Sequence, residues 1–115
     1  SLLKGRLIVP VCPEQLGGLP TPRPKAEITA GDGTDVLSGL CRAVDETGED
    51  VTSQFIKGAA ETLKAALLTG AKEAYLKDRS PSCGVSLICR RGERIKGMGV
   101  TAAMLMKEGI KVTGF

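Results

Sequence analysis

The sequence predicts an α/β fold: a single three-layer domain over residues 1–115, with a short, mostly parallel, Rossmann-like sheet and a long Pro/Gly-rich loop after the first strand. Three observations predict it. Short runs of branched apolar residues alternate with helical patterns, the order expected of βαβ units. Residues 53–69 carry an apolar stripe at the period of an amphipathic helix. The chain has 115 residues, 42% hydrophobic and 25% charged, which suits one globular core.

Leu2-Leu3-Lys4-Gly5 reads as the last turn of a helix, with Gly5 as its cap. Leu7 to Val11 is short, apolar and branched, and reads as a buried strand. Residues 12–35 are rich in proline, which lacks a backbone donor, and in glycine, which favours unusual dihedrals, so an irregular loop is expected. A loop this long inside a domain is usually functional or disordered. Leu40 to Val44 reads as extended and ends at Asp45-Glu46-Thr47-Gly48.

The clearest helix follows. Phe55, Ala59, Leu63 and Leu67 recur every four residues, Ile56, Ala60 and Ala66 widen the stripe, and Lys57, Glu61 and Lys64 lie off it. Thr52 or Asp50 suits its start and Gly70 its end. Ala74 to Lys77 is the next strand. Val85–Cys89 and Arg94–Lys96 form a hairpin around Arg90-Arg91-Gly92-Glu93, with Arg90, Arg91 and Arg94 as a solvated cluster. Val100 to Lys107 is a second helix, preceded by Gly97-Met98-Gly99, and Ile110 to Val112 is a last short strand.

Composition removes several functions. There is no histidine, so Ser-His-Asp and Cys-His mechanisms and most catalytic zinc sites are excluded. Phe55, Tyr75 and Phe115 are the only aromatics, too few for a base-stacking platform, and a net charge of +3 implies no polyanionic partner. No apolar run approaches the roughly 20 residues of a membrane span, and no secretion signal is recognisable. The expected location is the cytoplasm. There, Cys12, Cys41, Cys83 and Cys89 are expected to be thiols, metal ligands or core residues and not disulfides.

Two cysteines stand at the ends of predicted strands. Cys12 is followed by Pro13, Glu14 and Gly17-Gly18; Cys83 closes Ser80-Pro81-Ser82-Cys83-Gly84, with two hydroxyls and a thiol in five residues. In open parallel sheets, ligands bind beyond the carboxyl ends of the strands, and right-handed crossovers bring such ends to one edge. The two thiols are therefore expected at one site, as a metal or sulfur centre. The bland readings are a buried cysteine before a turn and a Ser/Pro/Gly surface turn. Cys41 and Cys89 lack such contexts and read as core. Arg23, between two prolines, is a surface arginine or a guanidinium aimed at a ligand. Gly97-Met98-Gly99 is a plain helix start or half of a phosphate-binding turn.

The segments Val9-Pro10-Val11-Cys12-Pro13-Glu14-Gln15-Leu16-Gly17-Gly18-Leu19-Pro20-Thr21-Pro22-Arg23, Gly31-Asp32-Gly33, Arg79-Ser80-Pro81-Ser82-Cys83-Gly84 and Gly99-Val100-Thr101-Ala102-Ala103 resemble a small bacterial and archaeal domain family of unknown function related to the thiouracil desulfidases. The resemblance implies a 4Fe-4S cluster held by three cysteines, with the fourth iron open to sulfur from a thiolated pyrimidine. It makes Cys12 and Cys83 two of the ligands and Ser80 and Glu14 the polar or acid–base residues. Ser82, Thr21, Arg23 and Gly99 are the candidate substrate contacts. Members of that family usually begin with a strand and a Ser-Ala-Cys-Leu-Leu-Gly loop bearing the other ligand. This sequence does not show that loop, so the expectation is an N-terminally truncated fragment unable to hold an intact cluster.

The expected partner is a small thiolated base, with no nucleic-acid polymer and no membrane; pairing of two chains through an exposed sheet edge is open. The competing readings are a non-catalytic iron–sulfur or sulfur carrier, or thiol sensor; an anion- or nucleotide-binding module on Gly97-Met98-Gly99 and Arg23; and cysteines that are inert packing.

Overall fold

The computed structural model describes residues 8–115. The expected helix remnant at Leu2–Gly5 lies outside them, as does Leu7. In chain order the elements are α1 (Pro13–Leu16), β1 (Ala26–Ile28), α2 (Gly33–Leu37), β2 (Ala43–Asp45), α3 (Thr52–Thr69), β3 (Glu73–Leu76), β4 (Leu87–Arg90), β5 (Glu93–Lys96), α4 (Val100–Lys107) and β6 (Lys111–Gly114).

The expected strand at Leu7–Val11 is not one over its described part. Residues 8–11 have no regular structure, and Ile8 and Val9 are 53% and 51% exposed. Apolar character alone does not make a strand; a partner edge does, and Pro10 has no amide to offer one. The long irregular loop is also corrected, because 12–35 contains α1, β1 and the start of α2. Pro13 at the first position of α1 is pre-set for a helix. Asp32 starts α2: its carboxylate accepts from Thr34 N at 3.0 Å, while its own amide donates to the Asp35 carboxylate at 2.9 Å.

In place of one mostly parallel sheet, the described residues form three two-stranded sheets. β1 and β2 are antiparallel, with Glu27 opposite Val44; β4 and β5 are antiparallel, with Ile88 opposite Ile95; β3 and β6 are parallel, with Tyr75 opposite Thr113. The connections explain the mixture. A two-residue turn at Arg91-Gly92, with φ of 53° and 76°, can only reverse the chain. The return from β3 to β6 passes through α4, the crossover that parallel pairing requires. The fold is thus mixed α/β with short sheets.

The arginine cluster is corrected in part. Arg90 is not simply solvated: its Nε donates to Ile28 O at 2.7 Å, and its Nη2 donates to Gly31 O. With Arg91 N on the Glu27 carboxylate at 2.8 Å, these bonds tie the β4–β5 hairpin to β1.

Two apolar clusters make the core. One joins Ile28, Val36, Ala43, Val51, Phe55, Ala59, Ile88 and Val100; the other joins Leu76, Ala102, Leu105 and Ile110. α4 feeds both. The α3 stripe buries Phe55, Gly58, Ala59 and Thr62, but its last turn leaves the core and exposes Leu67 and Leu68. Asp50 accepts from Thr52 N at 2.9 Å at the helix start, and Gly70 ends the helix at φ 69°. Among the described residues, no helix is long and apolar enough to cross a membrane.

The α1–α3 contact sets the position of Cys12, and two glycines permit it. A Cβ on Gly58 would lie 2.0 Å from Pro13 O, and one on Gly17 would lie 1.9 Å from Gln54 O. Both obstacles are backbone. Gly58→Ala is therefore expected to destabilise the protein by about 1–3 kcal/mol in urea unfolding, the usual range for overpacking, although alanine is worth roughly 1 kcal/mol more than glycine in a free helix.

Candidate functional site

Cys12 is the N-cap residue of α1, with an extended backbone, and its carbonyl accepts from Leu16 N at 3.0 Å. Pro13 points the helix and buries its ring against α3, so the thiol is held half-exposed at the rim. The loop that follows folds back on α1. Arg23 Nε lies 3.4 Å from Glu14 Oε2, and Arg23 Nη2 lies 3.7 Å from Cys12 Sγ. Arg23 Nη1 donates to Pro20 O at 3.2 Å and Thr21 Oγ1 at 3.3 Å, and Thr21 Oγ1 also accepts from Gln15 Nε2 at 2.6 Å.

Cys83 arrives from the other side. It closes a turn in which Ser80 Oγ accepts from the amides of Ser82 and Cys83, both at 3.1 Å, and Gly84 N donates to Ser80 O at 2.8 Å. The turn sits on the start of α4. Gly99 N donates to Gly84 O at 2.8 Å, Val100 N to Pro81 O at 2.9 Å, and Thr101 N to Ser82 O at 2.8 Å. The free amides of a helix start are thus satisfied by the cysteine turn. Gly99 allows this approach, because a Cβ there would lie 2.4 Å from the Ser82 carbonyl.

The two cysteines lie near enough for the charge of one to bear on the other. Burial pushes the Cys83 thiol up to about 11; the Ser82 hydroxyl opposes this, and the negative charges of Glu14 and Cys12 add to it. Cys12, Glu14 and Cys83 therefore share one electrostatic site, although 71 positions separate the two cysteines (83 minus 12). Thr21, Arg23 and Ser80 are the other expected site residues that the structure ties to these groups.

Ser82 and Gly99 were expected as substrate contacts, and the structure gives both other work. Ser82 is 1% exposed and shares a 2.9 Å hydrogen bond with Thr101 Oγ1, itself 0% exposed, so a substrate cannot reach it. Gly99 has its amide on Gly84. The amides of Gly97 and Met98 are likewise taken, by Ser86 O at 3.1 Å and the Asp32 carboxylate at 3.0 Å. Gly97-Met98-Gly99 thus offers no free amide to an anion. Cys41 packs against the first core cluster with its thiol 3.9 Å from Asp32 O, and burial raises its pKa.

The donor set suits a thiolate-held centre in kind: two cysteine sulfurs and one carboxylate on a half-buried rim, with no imidazole in the chain. Among the described residues, no group of three or more His, Cys, Asp or Glu is placed to hold a metal ion. Cys12 and Cys83 are thus two candidate donors and not a full set.

Asp78 is the residue that sequence reasoning missed. Its Oδ1 accepts from Arg79 N at 3.0 Å, Val85 N at 3.0 Å, Ser86 N at 3.2 Å and Leu87 N at 3.0 Å, and its Oδ2 accepts from Ser86 Oγ at 2.8 Å. This carboxylate spans the cysteine turn and joins its two ends. It also holds Arg79 at φ 74°, a left-handed conformation disfavoured for a side chain. The available signal was an aspartate directly ahead of a Ser/Pro/Gly turn, a common partner of turn amides.

These features define a class, a small mixed α/β protein whose two distant cysteine turns share a rim with an acid and an arginine. The chain belongs to the 2-thiouracil desulfurase family, whose model matches residues 1–114. It is 46% identical over 115 residues to the uncharacterized protein YbbK of Bacillus subtilis (strain 168), covering 97% of this chain and 76% of YbbK. Among solved structures it is similar to the 4Fe-4S-dependent thiouracil desulfidase TudS, with a TM-score of 0.78 and 40% identity over 90% of this chain. The chain spans 64% of the length of that TudS chain.

Burial tends to raise the Asp78 pKa, but the bonds from Leu87 N, Ser86 Oγ, Arg79 N and Val85 N outweigh it and hold the carboxyl well below its ordinary value of 3.8. A pKa depressed on folding adds stability that is present above the unfolded pKa and is lost as pH falls from there toward the folded value. Asp78→Asn is expected to cost about 1.5–3 kcal/mol at pH 7, the range for hydrogen bonds to a charged group. The gap from wild type should shrink as pH falls below about 4, read by urea unfolding at several pH values.

Proposed function

We propose that this protein removes sulfur from a thiolated pyrimidine of the thiouracil type, using a 4Fe-4S cluster for which Cys12 and Cys83 are two ligands. What supports the reading is the electrostatic coupling of Cys83 to Cys12 and Glu14, in a chain of the 2-thiouracil desulfurase family. The similarity to a 4Fe-4S-dependent thiouracil desulfidase supports the cofactor and the substrate class. A thiolate-held centre of this kind belongs in the reducing cytoplasm.

When bound, such a cluster supplies an open iron, a Lewis acid and soft-sulfur acceptor. The chain's own residues supply the rest. Glu14, held by Arg23, takes a proton from water as its oxygen bonds to the thiocarbonyl carbon. The carbon–sulfur bond then breaks as the remaining hydroxyl proton passes to the departing sulfur, which leaves as hydrosulfide, and the ring keeps a carbonyl oxygen. No net oxidation or reduction occurs. Ser80 accepts two amide hydrogen bonds through its oxygen, which leaves its hydroxyl proton to donate toward the substrate.

The test is anaerobic reconstitution of the complete protein with iron and sulfide, followed by iron counting and thiouracil turnover. Cys12→Ser and Cys83→Ser should each lose the cluster. Ser80→Ala should keep it and lose roughly 10²-fold in turnover, the lower end for a positioned proton donor. A loaded protein that turns over no thiolated pyrimidine refutes the enzymatic reading and leaves the carrier.

A further inference from the structure

Arg23 was expected either on the surface or in contact with the substrate. The structure shows a half-buried guanidinium whose every nitrogen faces a group of its own loop. Nε faces the Glu14 carboxylate at 3.4 Å, Nη2 faces Cys12 Sγ at 3.7 Å, and Nη1 reaches Pro20 O at 3.2 Å and Thr21 Oγ1 at 3.3 Å. Thr21 is itself held by Gln15 at 2.6 Å. The Arg23 and Glu14 side chains are only 23% and 21% exposed, so the pair is partly shielded from solvent and salt.

We infer that Arg23 is a positioning residue of the centre, acting through Glu14 and Cys12 and not by touching substrate; this rests on the desulfidase reading above. Its planar fork sets the distance between the acid and the sulfur. Nε holds the Glu14 carboxylate as an ion pair, while Nη2 directs an N–H and a positive charge at the Cys12 sulfur. Lysine has one point charge and cannot serve both at once. Hydrogen bonds and positive charge at a ligand sulfur favour the reduced form of an iron–sulfur centre. Arg23 therefore links two properties: the orientation of the base and the potential of the metal site. The turn that fixes it, from Pro20 to Pro22, also holds Thr21 against α1, so the clamp and its support form one closed loop.

The experiment compares Arg23→Gln and Arg23→Lys with wild type, all reconstituted anaerobically and checked for folding by thermal unfolding. Arg23→Gln should lower kcat with thiouracil by about 10–100-fold, the usual effect of losing a partner behind a metal ligand, with KM nearly unchanged. Its cluster midpoint potential should move to more negative values. Arg23→Lys should recover most of the potential, which follows charge, but not kcat, which follows the fork. A raised KM with unchanged kcat would make Arg23 a substrate contact and overturn the assignment. Unchanged kcat and unchanged potential would make it a surface arginine and do the same.

A metal-free measurement keeps this separate from the desulfidase reading. In the protein without iron, the Arg23 Nε–H should give a slowly exchanging proton resonance that Glu14→Gln removes. Exchange as fast as that of a free arginine overturns the clamp. If the loaded wild type turns over no thiolated pyrimidine, the desulfidase reading fails, while the potential and the Nε–H resonance still decide the role of Arg23.

Discussion

The carboxylate of Asp78 is the interaction on which the site depends. Cys83 and Val85 pack the turn against the second core cluster, and four amides converging on one oxygen fix its shape. A charge-assisted bond is about twice as strong as a neutral one. The shaped turn then presents its carbonyls to the start of α4, whose amides need acceptors. The helix in turn fills both core clusters through Val100, Ala102 and Leu105. One charge thus connects the sulfur at the rim to the packing of the interior.

The Cys12 side is built by a different device. α1 is a single turn, too short to persist alone. It exists because Pro13 starts it and because Gly17 and Gly58 let two backbones touch. The loop to Arg23 folds back on that turn through a guanidinium and a threonine hydroxyl. Cys12 is therefore positioned by backbone geometry and a polar clamp, and Cys83 by its hydrogen-bonded turn and by packing against the second apolar cluster. Such an arrangement leaves both cysteines partly buried and still fixes their direction, as a centre open to a small ligand needs.

Much of the local structure was legible. The four-residue spacing of Phe55, Ala59 and Leu63 marked α3, and Arg91-Gly92 between two short runs marked a hairpin, because both signals lie in adjacent residues. The family resemblance came from the two cysteine segments, and the family match agrees with it. Reading failed where a partner outside the segment decides. Residues 8–11 have strand composition but no paired edge, and residues 12–35 have loop composition but hold three short elements. Arg90 read as solvated because its acceptors, Ile28 O and Gly31 O, lie about sixty residues away. Ser82 read as a substrate contact because nothing local announces Thr101.

By itself, the sequence determined the chemistry available: thiols, one nearby acid, hydroxyls and no histidine, and therefore no imidazole catalysis. It also determined the helices, whose periodicity is a property of neighbouring residues. Only the tertiary structure decided that Cys12 and Cys83 share a rim, that Ser82 is sealed inside while Ser80 shapes the turn, and that Arg23 faces its own loop. The reason is physical: these outcomes depend on hydrogen bonds and close approaches between segments far apart in the chain, and the free energy of such contacts is not encoded in any one of them.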